Sequence, residues 1–181
     1  MRTKVVAITG SPGTGKTTLA DTLQRQGFQV FRLEEIAHQT HALSIENGEN
    51  VVDTTSLAKW SWNEKQVCFI DGHLSHYCSI DAAIVLRCKP NVLRQRLEQR
   101  EDYSADKIRE NLEWELLAGT WSDLLNLHPK INVLEIDTTT GPISITRVLE
   151  FLDAENIKAT VENCIQDARD WMNTEYVAES I

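Results

Sequence analysis

The stretch that decides the fold runs Lys4-Val-Val-Ala-Ile-Thr9, then Gly10-Ser-Pro-Gly13-Thr14-Gly15-Lys16-Thr17-Thr18, then Leu-Ala-Asp-Thr-Leu-Gln-Arg25. An apolar, β-rich run ends in a glycine cluster and continues into a helical pattern, so the order is strand, loop, helix. Gly10 to Thr17 satisfies G-x-x-x-x-G-K-[ST] in the context that motif requires, directly after a strand and opening a helix. Glycines let the backbone wrap round a polyphosphate with successive N–H groups turned inward, and the helix N-terminus adds its partial positive charge. Gly10, Gly13, Thr14, Gly15, Lys16, Thr17 and Thr18 are therefore the expected contacts to ATP or GTP. Lys16 reaches for the β- and γ-phosphates, Thr17 offers its hydroxyl to Mg²⁺, and Thr18 makes a further phosphate contact.

Working outward, Phe28 to Phe31, Val67 to Ile70, Ala82 to Leu86 and Val133 to Ile136 are short apolar runs, mostly continuous rather than alternating. Strands buried on both faces read this way. Between them lie helical spacings: Leu93/Leu97, the long set Ile108, Leu112, Leu116, Trp121, Leu124, and a C-terminal set Val161, Ile165, Ala168, Met172. Alternating strand and helix predicts a parallel sheet with crossovers. Pro142 after Gly141 suits the first turn of a helix starting near Ile143, and the tail after Leu152 reads as one more helix. Thr40 to Glu49 and the stretch around Glu101 to Ser104 are polar breaks, expected to be the most mobile. No repeat or linker marks a second domain, so residues 1–181 are expected to form one.

The second constellation is Val67-Cys-Phe-Ile-Asp71-Gly72-His73-Leu-Ser-His76. An aspartate at the C-terminal end of a buried strand beside the phosphate loop can hold nucleotide-bound Mg²⁺, directly or through water. That makes Asp71, with Thr17, the expected metal pair. His73 could orient or deprotonate an attacking water.

Of the 181 residues, 18 are Lys or Arg and 27 Asp or Glu, giving a formal charge of −9. That balance argues against direct DNA binding, which needs clustered cations, and leaves a basic protein partner electrostatically favourable. Cys68, Cys78, Cys88 and Cys164 have no paired spacing and read as reduced thiols. No run approaches the ~20 apolar residues of a membrane helix, nor a signal-peptide core, so a soluble cytosolic protein is expected, or in a eukaryotic cell a nuclear one. Of the five tryptophans, Trp114, Trp121 and Trp171 fall on apolar helical faces and are expected in the core, while Trp60 and Trp62 read as packing residues rather than ligand stackers. Glu34-Glu35 and Glu113/Glu115 read as solvated faces.

Taken together, GSPGTGKTT, Asp71-Gly72-His73 running into LSHYC, the strand IVLRC followed by Pro90, and R-L-E-Q-R…Y-S-x-x-K-I-x-E-N from Arg96 to Asn111 resemble the adenylate kinase isoenzyme six family, across most of the chain. The resemblance implies a P-loop α/β fold of the nucleoside monophosphate kinase type, with a five-stranded parallel sheet flanked by helices. It implies an acceptor-binding segment at about 31–53 and a lid at about 99–109. It further implies Mg²⁺-ATP-dependent phosphoryl transfer with AMP as default acceptor, weak ATPase activity, and a role in small ribosomal subunit assembly through a basic ribosomal protein. Lys16, Asp71, His73 and Arg100 are the catalytic expectations, Arg100 matching the arginine that covers ATP in the family; Tyr103 and Lys107 also fit its pattern. The chain departs from the pattern twice. Arg100-Glu-Asp-Tyr103 replaces the usual Arg-Gly-Tyr, adding a residue and two negative charges, and His38 stands where many relatives carry an arginine for the acceptor's phosphate.

Overall fold

The computed structural model describes residues 5–46, 49–101, 103–153 and 159–172. Lys4 of the opening run, positions 47 and 48 of the expected acceptor segment, Asp102 of the expected lid and the end of the C-terminal stretch lie outside the described residues. The elements follow in chain order: β1 Val5–Thr9, α1 Lys16–Arg25, β2 Gln29–Arg32, α2 Leu33–Gln39, β3 Leu43–Glu46, β4 Glu49–Val52, α3 Thr54–Leu57, β5 Cys68–Asp71, β6 Ala82–Arg87, α4 Pro90–Glu98, α5 Ala105–Leu116, α6 Gly119–Leu127, β7 Asn132–Asp137, α7 Ile145–Asp153 and α8 Val161–Cys164. Short 3₁₀ turns cover Ser75–Tyr77 and Ile165–Asp167.

Five strands pair in parallel in the order β2-β5-β1-β6-β7. Each grows from one of the continuous apolar runs, and the reason is visible in their burial: β1, β5 and β6 are buried at every position. Val6 and Ile8 of β1 pack with Leu19 and Leu23 of α1 and Val148 of α7, whereas Val5 and Ala7 pack with Ile36 of α2 and Trp121 and Leu124 of α6. Helices thus cover both faces of the sheet, and truncating a core residue such as Leu23, fully buried, costs about 2–5 kcal/mol. A third cluster joins Leu93 and Leu97 of α4 to Ile108 and Leu112 of α5. Register aligns the strand ends that matter: Ile8 and Arg32 both stand opposite Asp71, and Thr9 opposite Val85.

Five expectations need correction. The polar stretch from Thr40 to Glu49 contains one strand of an antiparallel hairpin, β3 with β4, whose four-residue strands leave too short an alternation to stand out. The long helical set from Ile108 to Leu124 is two helices, broken where Ala118 takes φ 51°; a Cβ on Gly119 would lie 2.3 Å from the Trp114 ring, so the glycine permits the tight turn between them. The C-terminal set is no continuous helix: α7 ends at Asp153, and α8 passes into a single 3₁₀ turn. Trp114 is 43% exposed, while Trp121 and Trp171 are buried as expected. Trp60 and Trp62 pack edge-on against Phe31, centroids 5.1 and 5.2 Å away. The helix after Pro142 starts at Ile145, two residues beyond the expected point. Among the described residues no helix is long and apolar enough to cross a membrane, and all four cysteines are free thiols.

Candidate active site

Everything in the loop follows from how sharply β1 must turn into α1. Gly10 takes φ 128°, and a Cβ there would sit 2.2 Å from the Leu86 carbonyl oxygen of β6; only glycine fits. Ser11 is then the keystone. Its carbonyl accepts from the Thr14 hydroxyl at 2.8 Å, the Thr14 amide at 3.3 Å and Lys16 Nζ at 2.8 Å. Lys16 Nζ also donates to the Gly10 carbonyl at 2.9 Å, so its ammonium lies across the loop it must serve. Burial lowers the Lys16 pKa to about 8, with Asp71 opposing, Arg100 assisting and Glu115 opposing. Thr17 and Thr18 open α1 with exposed side chains.

Asp71 closes β5 and is buried, yet its two oxygens differ. Oδ2 accepts from the Thr17 hydroxyl at 3.1 Å and from the Arg32 guanidinium, while Oδ1 is buried without a hydrogen-bond partner. An orphaned buried carboxylate oxygen beside the Thr17 hydroxyl is a hard-oxygen donor set that suits Mg²⁺, which takes one or two protein oxygens and completes its shell with phosphates and water. Arg32, which sequence reasoning missed, reaches Asp71 from the end of β2 and also pairs with Asp21 at 2.5 Å. The signal was there in the strand rule: residues at the C-terminal ends of parallel strands gather at the ligand edge. His38, by contrast, is exposed on the last turn of α2.

His73 stands at the rim, open to solvent on one side, and its pKa is pushed down to about 4 by burial among the surrounding walls, then by Lys16, His76 and Lys107. The ring is therefore neutral near pH 7. Behind it His76 is fully enclosed, with Nδ1 2.7 Å from the Thr9 hydroxyl and Nε2 3.1 Å from Asp123; burial lowers its pKa and Asp123 opposes this.

The remaining wall comes from α4, the turn that follows it and the segment after β7. A cavity of about 580 Å³ is lined by the loop from Pro12 to Thr18, Asp71 to His73, Arg96, Arg100, Tyr103, Thr138 and Gly141 to Ile143. It brings together every expected site residue except Gly10. Arg100 lies over the Tyr103 ring at 5.4 Å, and Lys107 over the same ring at 4.6 Å, a contact that fixes a cationic edge. Arg96 was missed; from α4 it donates to the Thr138 carbonyl at 2.7 Å and the Gly13 carbonyl at 3.4 Å, bracing the loop against the segment after β7.

The strongest departure is Glu115, expected on a solvated face and found 2% exposed. Arg87 Nε donates to its Oε1 at 2.6 Å and Ser11 Oγ to its Oε2 at 2.6 Å. A carboxylate can be buried only when paired and hydrogen-bonded, and its partners lie too far along the chain for helical spacing to reveal them.

A parallel sheet in this order, with a G-x-x-x-x-G-K-T loop between its central strand and the first helix, defines a P-loop NTPase of the kinase type. Two solved structures share that fold: a sugar kinase from Janibacter sp. HTCC2649, TM-score 0.53 at 20% identity over 88% of this chain and 99% of that one, and shikimate kinase from Bacteroides thetaiotaomicron, TM-score 0.50 at 14% identity over 83% and 98%. Residues 6–118 match the family model described as AAA domain. A protein from Archaeoglobus fulgidus named "Putative adenylate kinase" is 42% identical over 152 residues, covering 83% of this chain and 80% of the relative. One of the same name from Methanocaldococcus jannaschii is 33% identical over 180 residues, covering 94% and 98%. The chain belongs to this family of AAA domain proteins, and the resemblance read from its motifs holds.

Proposed function

We propose that the protein transfers the terminal phosphoryl group of Mg²⁺-ATP to a nucleoside monophosphate, with AMP as acceptor, and hydrolyses ATP slowly when water takes the acceptor's place. The observation that carries this reading is the convergence of Lys16, the Thr17–Asp71 pair and the arginines Arg96 and Arg100 on one cavity at the C-terminal edge of the parallel strands. Phosphoryl transfer needs little covalent help; it needs in-line positioning and positive charge where the transferring oxygens gather. Lys16 supplies a point charge at the transferred group once it leaves the loop carbonyls. Thr17 Oγ1 and Asp71 would hold Mg²⁺, which would supply positive charge against the negative charge of the transferring phosphoryl group. Arg100, on its Tyr103 platform, covers the nucleotide, and its planar guanidinium can stack or pair with phosphate. Arg32, paired with Asp71 at the end of β2, takes the phosphate-reading role that His38 cannot reach from its exposed position.

The acceptor phosphate is already anionic at neutral pH, so transfer needs no general base. Water does need orienting, and a neutral His73 at the rim can accept a hydrogen bond from it. An assay of ADP production with ATP alone, then with each nucleoside monophosphate added, tests the reading. AMP should raise ADP production well above the ATP-only rate; no stimulation by any monophosphate leaves an ATPase.

The charge of −9 supports a second reading, an ATPase that binds a basic small-subunit ribosomal protein during subunit assembly. Complementary charge speeds such association and salt screens it. Pull-down at low and high ionic strength tests this, and absence of a complex at low salt removes it.

A further inference from the structure

The C-terminal segment does more than cover the sheet. Its backbone pairs along the edge strand, with Val133 N donating to the Ala159 carbonyl at 2.8 Å and Val161 N to the Ile131 carbonyl at 3.1 Å. Further on, Arg169 N donates to Glu135 Oε1 at 3.1 Å, and the Arg169 side chain lies 3.4 Å from Asp137. Two residues later Trp171, 3% exposed, donates its indole N–H to Glu115 Oε1 at 3.1 Å while Arg87 lies over its ring at 5.9 Å. Glu115 thus receives Trp171, Arg87 Nε and the Cys88 amide on one oxygen and Ser11 on the other. Ser11 in turn holds Thr14 and Lys16 through its carbonyl.

We propose that Glu115 is a positioning residue for the phosphate loop, and that the C-terminal segment sets the loop's shape by tethering Glu115 through Trp171. Neither residue lines the nucleotide cavity, so both act through Ser11. The alternative for a buried Glu–Arg pair is simple structural pairing of α5 with β6. Two features speak against that as the whole role. Arg87 already satisfies Oε1, yet Oε2 is spent on a loop hydroxyl, and the indole N–H adds a donor from a segment 56 residues away in sequence. A short hydrogen bond from a loop hydroxyl to a buried carboxylate removes conformational freedom that a phosphate loop would otherwise lose on binding nucleotide, and such preorganisation shows as affinity.

This inference rests on the nucleotide reading of the cavity, and the experiment separates the two. ATP binding is measured by calorimetry with Mg²⁺ for the wild-type protein, Ser11→Ala, Trp171→Phe and the double variant, beside thermal midpoints and the steady-state KM for ATP and for AMP. Ser11→Ala and Trp171→Phe keep the packing and delete one donor each. Each should weaken ATP binding, by roughly 5- to 20-fold for Ser11→Ala and less for Trp171→Phe, as loss of a hydrogen bond to a charged group does. The AMP KM should stay within about 2-fold. The double variant should lose little more than Ser11→Ala alone, because both bonds end on one carboxylate. Lower thermal midpoints with unchanged ATP affinity would make the cluster purely structural and overturn the proposal; additive losses would overturn the route through Glu115. A wild-type protein that binds no ATP would remove the nucleotide reading itself, and this inference with it.

Discussion

On the proposed reading, the donor side and the acceptor side of the cleft are built on different principles. The donor side is a loop clamped from several directions: Ser11 by Glu115, Gly13 by Arg96, Gly10 against the β6 backbone. The acceptor side has α2, whose exposed face carries Glu34, Glu35 and His38, and a two-stranded hairpin on which Ile45 is 76% exposed. Arg32, at the end of β2, is held by two carboxylates, Asp21 and Asp71. On this reading the groups that place charge are buried and multiply bonded, whereas the acceptor side, anchored in the core through Ile36 and Leu57, ends in a short hairpin with an exposed apolar side chain, the kind of element that opens most easily.

Lys16→Ala tests the donor side most severely. Loss of a charge contact made in the transition state should lower turnover at least ~100-fold, about 2.7 kcal/mol, with the fold retained. Near wild-type ADP production by a folded variant would mean that the phosphates lie elsewhere. Asp71→Asn should be nearly as damaging, reducing transfer and hydrolysis together by roughly 30- to 100-fold, because Arg32, Thr17 and the Mg²⁺ position all depend on one carboxylate. Partial recovery at raised Mg²⁺ would assign the loss to the metal; no change would assign it to Arg32.

These two residues also show why the site was only half legible. The loop residues and Asp71 are consecutive or end a strand, so local pattern suffices to place them. The sheet was legible for a similar reason: strands buried on both faces must be apolar throughout. Arg32 and Arg96 come to the site only through register and helix packing, which no spacing encodes. Glu115 follows the exposed Glu113 and Trp114 on α5, and its partners Arg87 and Trp171 lie 28 and 56 residues away. The hairpin escaped because Leu43-Ser-Ile-Glu46 is as much polar as apolar, and the helix break at Ala118 because apolar spacing continues straight across it.

Arg32→Ala addresses the acceptor side. The AMP KM should rise about 10-fold, near 1.4 kcal/mol, while the ATP KM stays unchanged. A change in the ATP KM alone would show that Arg32 serves the donor phosphates through Asp71. His73→Ala then asks which chemistry the rim supports: hydrolysis should fall about 10-fold and transfer less than about 3-fold, since only water needs orienting. Equal losses in both assays would make His73 a structural support of the Asp71 turn.

The smallest expected effect belongs to the hairpin, and it is informative for being small. Ile45 is three-quarters exposed, so Ile45→Ser removes little buried apolar area and should change the unfolding free energy by less than about 0.5 kcal/mol, read from the denaturant midpoint at constant slope. A donor-side core truncation such as Leu23→Ala should cost about 2–5 kcal/mol in the same measurement. That gap is the quantitative content of the contrast between the two sides. If Ile45→Ser proved as destabilising as Leu23→Ala, the hairpin would have to pack as tightly in solution as the core does, and the view of the acceptor side as loosely built would fail with it.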